Sequence, residues 1–474
     1  MARKTIFDGI EEYGNAPALI EESGRIWAYD ELVDAADRLG GCMEPRSLVF
    51  LLCRNCASAV AAYVGALRRG VVPLLLNAEI QEELLGYLLE QYKPRHLWVE
   101  NDRVFASGKQ IYSDGAYGLW DTGEQAYPLY EELAVLLSTS GSTGSPKLVR
   151  QSYGNIMANT ESIVEYLSLT AADRAITTMP MYYTYGLSII QTQLFVGGSI
   201  VLTDASMFER RFWDLLKAQE VTNFGGVPYT YEMLRRMRFA RMELPSLRFI
   251  TQAGGKLAPS LSAEFAQVCA DKGIAFITMY GACEATARMA YLPKEYALQK
   301  AGSIGIAIPG GRFALMDGSG LEIEGAGAEG ELVYYGENVT LGYAECSEDL
   351  SKGDENQGRL PTGDMARRDE EGFYYITGRK KRFLKLFGNR VSLDAIEAFL
   401  KSQGFLSCAC GGEDDKLMVY VAEAVDKKKL CLSLSRFTHL HVSAFEVVQV
   451  EEIPRNASGK ILYEKLRNDG KSGV

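Results

Sequence analysis

Residues 47–53 read SLVFLLC, and a second uninterrupted apolar run, VVPLLL, follows at 71–76; between them lies a stretch of small apolar residues at 57–67. A short apolar run without polar alternation reads as a buried strand, and small residues between two such runs read as the crossover helix of a βαβ unit. The two strands are then parallel, and a parallel sheet needs helices over its faces. The same alternation recurs downstream. Segments 174–178, 199–202, 222–226, 247–253 and 275–280 read as strands, and 188–194, 208–219 and 261–272 as the helices among them. No internal repeat or low-complexity tract interrupts this pattern. The fold class is therefore α/β, with mixed, mostly parallel sheets flanked by helices.

A chain of 474 residues, 47% of them apolar, is too long for one compact domain. Composition shifts near Gly302. Residues 302–378 are rich in Gly and short β-type runs such as GELVYY at 330–335 and GFYYIT at 372–377, which predicts a β-rich subdomain. A basic run, RKKRFLK, begins at Arg379 and leads into a small α/β segment. The expected division is 1–378 for a large N-terminal domain and 379–474 for a small C-terminal one.

The net charge of −11 is a poor match for a phosphate backbone, so nucleic-acid binding is not expected. The charge is uneven. From Arg379 onward the chain carries 17 Lys and Arg against 12 Asp and Glu, while the residues before it carry 33 against 49. A basic tail on an acidic body suits an anionic partner. The first residues lack the apolar stretch of a signal peptide, and Arg68 and Arg69 divide the most apolar window, so no membrane span and a cytoplasmic location are expected. Nine cysteines are scattered without the spacing of a disulfide framework, and Cys53 and Cys56, a lone CxxC, read as core. With only His96, His439 and His441, the main body has no material for a His-based triad or a multi-His zinc site.

The most informative segment is STSGSTGSPK at 138–147, which follows an apolar strand at 134–137. Six hydroxyls and two glycines before a lysine make an anion cradle: glycine lets backbone N–H groups turn toward phosphate oxygens, hydroxyls add donors, and the lysine adds charge. It is not a Walker A loop, because Pro146 precedes Lys147 and Leu148 follows it. Near the end of the chain, Gly459 and Lys460 also fail that pattern, since Pro454 stands where its first glycine belongs.

STSGSTGSPK resembles the phosphate loop of the acyl-adenylate-forming (AMP-binding) superfamily, which spans acyl-CoA synthetases, peptide-synthetase adenylation domains and luciferase. Four more segments resemble that family's motifs, in the same order: Tyr280-Gly281-Ala282-Cys283-Glu284; Leu360-Pro361-Thr362-Gly363-Asp364; Gly378 to Lys381 leading into Lys385–Val391; and Pro454 to Lys460. The closest likeness is to stand-alone ligases acting with coenzyme A or an acyl carrier protein. The resemblance implies a large adenylation core and a small mobile C-terminal lid. It also implies a reaction in which a carboxylate attacks the α-phosphate of ATP, pyrophosphate leaves, and the acyl group passes to a pantetheine thiol. Both reactants are anions, so positioning and charge neutralisation supply most of the catalysis, and no protein nucleophile is required.

By the same resemblance, Thr139, Ser140, Ser142, Thr143, Gly144 and Lys147 hold phosphates, and Glu284 coordinates Mg²⁺. Tyr280 packs on adenine, Asp364 and Arg379 hold the ribose, and Gly281 and Cys283 flank the nucleotide. Lys460 is the catalytic lysine, alongside Glu284 and Lys147. Lys381 is the hinge, and Gly388 and Arg390 belong to the thiol channel. Tyr183, Gly186, Gly226, Val227, Pro228, Ala253, Gly254 and Gly255 line the acyl pocket, where the glycines are expected to leave room. The implied partners are a small carboxylic acid and either coenzyme A or a separate carrier protein; no carrier domain is expected within the chain.

Two positions depart from the family pattern. Cys283 stands where the family has Thr, and a thiol donates hydrogen bonds weakly. Tyr183 stands where acyl-CoA synthetases often carry His. No acidic residue lies between Asp173 and Asp204, the stretch in which amino-acid-activating relatives place an Asp for the α-ammonium group, so an amino acid substrate is disfavoured. Two other readings share the motifs: a non-catalytic nucleotide-binding protein and a luciferase-like monooxygenase.

Overall fold

The structure, a computed structural model, describes residues 4–103, 108–138, 147–380, 382–387, 389–405, 407–413, 416–455, 461–463 and 465–466. Among these, an eight-stranded sheet runs in the order Gly342–Ala344, Leu148–Ser152, Leu133–Ser138, Val72–Asn77, Leu48–Cys53, His96–Glu100, Tyr117–Asp121, Lys109–Ser113. The predicted βαβ unit lies at its centre. Leu48–Cys53 pairs in parallel with Val72–Asn77, and the helix Ala57–Arg69 crosses between them. Every residue of Leu48–Cys53 is buried, as an apolar run without alternation requires.

The helix Tyr29–Gly41 packs on that crossover helix at very close range. A β-carbon on Gly65 would stand 2.2 Å from the Ala36 carbonyl oxygen, so only glycine permits the approach. The first strand, Pro17–Glu21, joins a second, nine-stranded sheet, where it pairs in parallel with Ser199–Leu202. Neither that strand nor the Tyr29 helix was picked out from the sequence, because the strand is short and the helix alternates buried apolar residues with exposed charges instead of forming a continuous apolar run.

In the second sheet, Asn223–Gly226, Phe249–Gln252 and Ala275–Tyr280 lie side by side in parallel. These match the expected strands to within about three residues at each end, the reach of fraying. Pro259 at the first turn starts the helix Pro259–Asp271, two residues ahead of the expected start, since its fixed φ suits that position. Between Lys147 and the next helix lies a strand not singled out from the sequence, Leu148–Ser152, antiparallel to Leu133–Ser138 with Ser138 opposite Leu148. The helix begins at Tyr153, capped by Ser152.

The β-rich stretch forms a four-stranded antiparallel sheet of Arg312–Met316, Glu329–Tyr335, Arg359–Arg368 and Tyr374–Arg379. Beyond it, residues from Leu384 to Val447 build a separate apolar core beneath the sheet of Cys408–Glu413, Lys416–Val421 and Phe445–Gln449. The fold thus has a large N-terminal part and a small C-terminal α/β part. Among the described residues, no helix is long and apolar enough to cross a membrane. Cys53 is buried and Cys56 largely so; burial pushes both thiols up, Cys56 to about 11, which fits packing and not thiolate chemistry.

Candidate active site

Ligands of open parallel sheets bind beyond the carboxyl ends of the strands. Here Asn223–Gly226 leads into Val227, Phe249–Gln252 into Ala253–Gly255, and Ala275–Tyr280 into Gly281–Glu284. Adjacent strands therefore place acyl-pocket candidates and nucleotide candidates along one edge.

The turn after Tyr280 is tight. A β-carbon on Gly281 would lie 1.8 Å from the Ala287 carbonyl oxygen. Thr286 takes φ +64°, uncommon for a β-branched residue, and its hydroxyl donates to the Asn338 carbonyl at 2.7 Å. Asn338 returns two amide bonds, to the carbonyls of Ala285 at 3.0 Å and Arg288 at 2.9 Å. Thr340 donates from its backbone N–H (3.0 Å) and its hydroxyl (3.1 Å) to the Glu284 carbonyl.

Three residues on, the Tyr343 hydroxyl donates to Glu284 Oε1 at 2.7 Å. Burial, then the Glu284 charge, pushes the Tyr343 hydroxyl up, which keeps the proton on its oxygen. Glu284 Oε2 has no hydrogen-bond partner among the described residues. Tyr343 is itself fixed by Arg150, fully buried, whose guanidinium donates to the Tyr343 carbonyl at 3.1 Å and the Leu341 carbonyl at 2.9 Å. Lys147 is close by: its Nζ lies 2.5 Å from Glu345 Oε1 and 5.9 Å from the Tyr343 ring centre.

Asp364 pairs across the β-rich sheet with Arg379, whose Nε lies 3.2 Å from Oδ1. Tyr280 donates to Oδ2 at 2.5 Å. Asp364 is only 7% exposed, and burial raises its carboxyl above its ordinary value against the opposing pull of Arg379 and Tyr280. Burial and the Asp364 charge together push the Tyr280 hydroxyl well up, so it stays a donor. An ionised carboxylate offers about four acceptor positions. The protein uses two here, leaving one on each oxygen.

The acyl candidates converge. The Tyr183 hydroxyl and Val227 Cγ1 lie 2.9 and 3.0 Å from where a β-carbon of Gly254 would stand. Burial pushes the Tyr183 hydroxyl up, with the nearby Cys283 thiol adding to the shift. The glycines do not leave open room. The space over Gly186 is filled by the Pro180 carbonyl oxygen (2.4 Å), that over Gly226 by Thr230 Cγ2 (2.8 Å), and that over Gly255 by Pro228 Cγ (3.1 Å). Their smallness serves close packing of the protein on itself.

Thr139, Ser140, Ser142, Thr143, Gly144, Lys381, Gly388, Lys460 and the Arg390 side chain lie outside the described residues. Among the described residues, no three His, Cys, Asp or Glu side chains cluster in a way that could hold a metal. Sequence reasoning missed Asn338, Thr340, Tyr343 and Arg150. Their one visible signal was polar residues (Asn338, Thr340) within the apolar stretch that ends at Ala344.

The family model for AMP-binding enzymes matches residues 6–344. The chain belongs to that family, and by class it is an AMP-forming acid–thiol ligase, which adenylates a carboxylic acid with ATP and passes the acyl group to a thiol. Among curated relatives, a 2-succinylbenzoate–CoA ligase of Bacillus cereus (strain ATCC 10987 / NRS 248) is 31% identical over 420 residues, covering 86% of this chain and 84% of that one. An indoleacetate–CoA ligase of Aromatoleum aromaticum is 26% identical over 480 residues, covering 93% and 92%. Among solved structures, the o-succinylbenzoate CoA synthetase of Bacillus subtilis in complex with its acyl-adenylate superposes with a TM-score of 0.80 at 23% identity, covering 98% of each chain. An anthranilate CoA ligase in complex with anthranoyl-AMP superposes with a TM-score of 0.79 at 20% identity, covering 99% of this chain and 98% of that one. At these identities the two structures establish the fold.

Proposed function

We propose that this protein joins a carboxylic acid of apolar or aromatic skeleton to coenzyme A, through an acyl-adenylate made with ATP and Mg²⁺. The observation that carries the reading is the shared edge: Val227, Gly254 and Glu284 follow three adjacent parallel strands, Tyr183 meets Gly254 there, and Tyr280, at the end of the third strand, holds Asp364 of the β-rich sheet. In this reading Asp364 accepts the two ribose hydroxyls on its two remaining acceptor positions, and Arg379 holds its orientation. Glu284 Oε2 is free to face a cation, while Tyr343 fixes the other oxygen.

A single carboxylate fits Mg²⁺, which keeps several waters and takes its other ligands from substrate phosphates. When bound, the ion neutralises charge on the transferring phosphates. Lys147 and the hydroxyls of residues 139–143 bind the β- and γ-phosphates. Lys460 places its charge between the α-phosphate and the attacking carboxylate, where negative charge develops. The residues after Gly378 then turn about Lys381 and present the Gly388 and Arg390 segment to the pantetheine thiol. Such closure keeps water from the mixed anhydride. The curated ligases named above act with coenzyme A, and the basic C-terminal segment suits its phosphates.

The test is exchange of labelled pyrophosphate into ATP across a panel of acids, followed by thioester formation with coenzyme A or a loaded carrier protein. Acid-dependent exchange, lost in Lys460→Ala, and thioester with coenzyme A are the expected results. ATP binding without exchange on any acid would replace this reading with a non-catalytic one.

A further inference from the structure

Arg288 lies four residues beyond Glu284 and is 3% exposed. Its guanidinium donates to the Tyr166 hydroxyl at 3.1 Å and contacts Met279 Sδ at 2.9 Å through Nη1, and donates to the Ser188 hydroxyl at 3.2 Å through Nη2. The Tyr185 ring centre lies 5.0 Å from its central carbon. All four neighbours are neutral. Among the described residues none of its side-chain partners is a carboxylate, and Arg288 Nε is buried without a hydrogen-bond partner. A buried charge is normally paired, because desolvation costs several kcal/mol that only an opposite charge offsets, and a buried donor left unmade adds about 1–3 kcal/mol. This cation is therefore short of an anion.

Its neighbours say where that anion would come from. Tyr185 and Met279 belong to the apolar cluster that also holds Tyr183, Val227 and Ala253, the acyl-pocket candidates. Tyr185 also reaches the strand end, its hydroxyl 2.7 Å from where a β-carbon of Gly225 would stand. The unbalanced guanidinium thus packs against two members of the pocket cluster, Tyr185 and Met279. A like charge there also disfavours an α-ammonium substrate.

We propose that Arg288 recognises a second carboxylate on the substrate, so that the acid activated here is a dicarboxylate bound with one end at the α-phosphate and the other toward Arg288. This rests on the ligase reading and narrows it to a substrate class. Arg288 acts in specificity and takes no part in the chemical step.

The experiment compares acids matched in skeleton: adipate with hexanoate, succinate with butanoate, and 2-succinylbenzoate with 4-oxo-4-phenylbutanoate, which lacks only the ring carboxylate. Pyrophosphate exchange is measured for the wild type, Arg288→Gln and Arg288→Lys. For at least one pair, the wild type should favour the dicarboxylate in kcat/KM by about 10- to 150-fold, the value of a charge-assisted bond. In Arg288→Gln that ratio should fall to near one through the KM of the dicarboxylate, with the KM for ATP unchanged; Arg288→Lys should keep part of it. Equal use of both members of every pair by the wild type, or an equal loss for both in Arg288→Gln, overturns the proposal. Thermal shift separates the two readings. Stabilisation of the wild type by a dicarboxylate and not by its monocarboxylate partner supports Arg288 recognition even if no acid supports exchange. Absence of both exchange preference and shift refutes it. If Arg288→Gln does not fold, the wild-type shift and Arg288→Lys decide.

Discussion

Replacing Asp364 by Asn separates what this residue does for the nucleotide from what it does to the fold. The carboxylate has about four acceptor positions; Tyr280 and Arg379 take two, and two remain for the ribose. Asn keeps one oxygen, which Tyr280 already occupies in part, and puts an NH₂ where the second oxygen was. One ribose hydroxyl loses its acceptor and the other loses the charge behind it. A hydrogen bond to a charged group contributes about 1.5–3 kcal/mol, so ATP affinity should fall about 10- to 150-fold.

The fold should respond in the opposite direction. Burial raises the Asp364 carboxyl above its unfolded value, so between those two values the folded state holds more protons than the unfolded state. The contribution of this group is therefore fully present below the unfolded value of about 3.9 and is lost as pH rises through the folded one. At pH 7 the wild type carries the whole penalty and the amide carries none. Arg379, 66% exposed, loses its partner cheaply because water replaces it. The Asp364→Asn variant should match or exceed the wild type in thermal midpoint at pH 7 and lose that advantage toward pH 4. Nucleotide titration by calorimetry and thermal scans across pH provide both readings. A change in ATP affinity under threefold, or a drop of several degrees in midpoint at pH 7 with ATP binding intact, would refute the assignment.

Four further outcomes are expected. Glu284→Gln keeps the acceptor for Tyr343 but removes the charge facing the cation, and should lower the exchange rate about 10²- to 10³-fold with little change in thermal midpoint. Lys460→Ala should lower adenylation by a similar factor yet leave thioester formation from a supplied acyl-adenylate within a few-fold of wild type, as stopped single-turnover assays would show. Gly281→Ala places a methyl 1.8 Å from the Ala287 carbonyl oxygen, so it should cost about 3 kcal/mol in urea unfolding or displace the Glu284 turn and abolish exchange. Thr286→Ala removes the buried bond to the Asn338 carbonyl without relieving the positive φ, and should cost about 1–3 kcal/mol by the same measurement, while Thr286→Ser keeps most of that stability.

These predictions draw on two kinds of residue, and the sequence exposes them unequally. Residues proposed to meet the nucleotide sit in short contiguous motifs, because the chemistry demands particular side chains at fixed spacing on one turn. Tyr280, Gly281 and Glu284 are of this kind, as is Asp364 in its Thr-Gly-Asp segment. Strands were legible for a related reason: Leu48–Cys53 and Ala275–Tyr280 are buried over most of their length, so their hydrophobicity is continuous and local. The amphipathic helix Tyr29–Gly41 and the strand Pro17–Glu21 carry charge on exposed positions and blend into their surroundings.

The residues that hold the motifs in place have no local signature, because each contact spans a long interval of chain. Tyr343 reaches Glu284 across 59 residues, Arg150 reaches Tyr343 across 193, and Tyr280 reaches Asp364 across 84. The replacement at Cys283 gains meaning in that frame. Whatever a Thr hydroxyl would contribute there, Glu284 owes its position to Thr340 at its carbonyl and Tyr343 at its carboxylate. A chain that keeps those distant supports can exchange the hydroxyl for a thiol and still hold the Glu284 carboxylate where the proposed mechanism needs it. The departure from the family pattern therefore weakens one donor without dismantling the site.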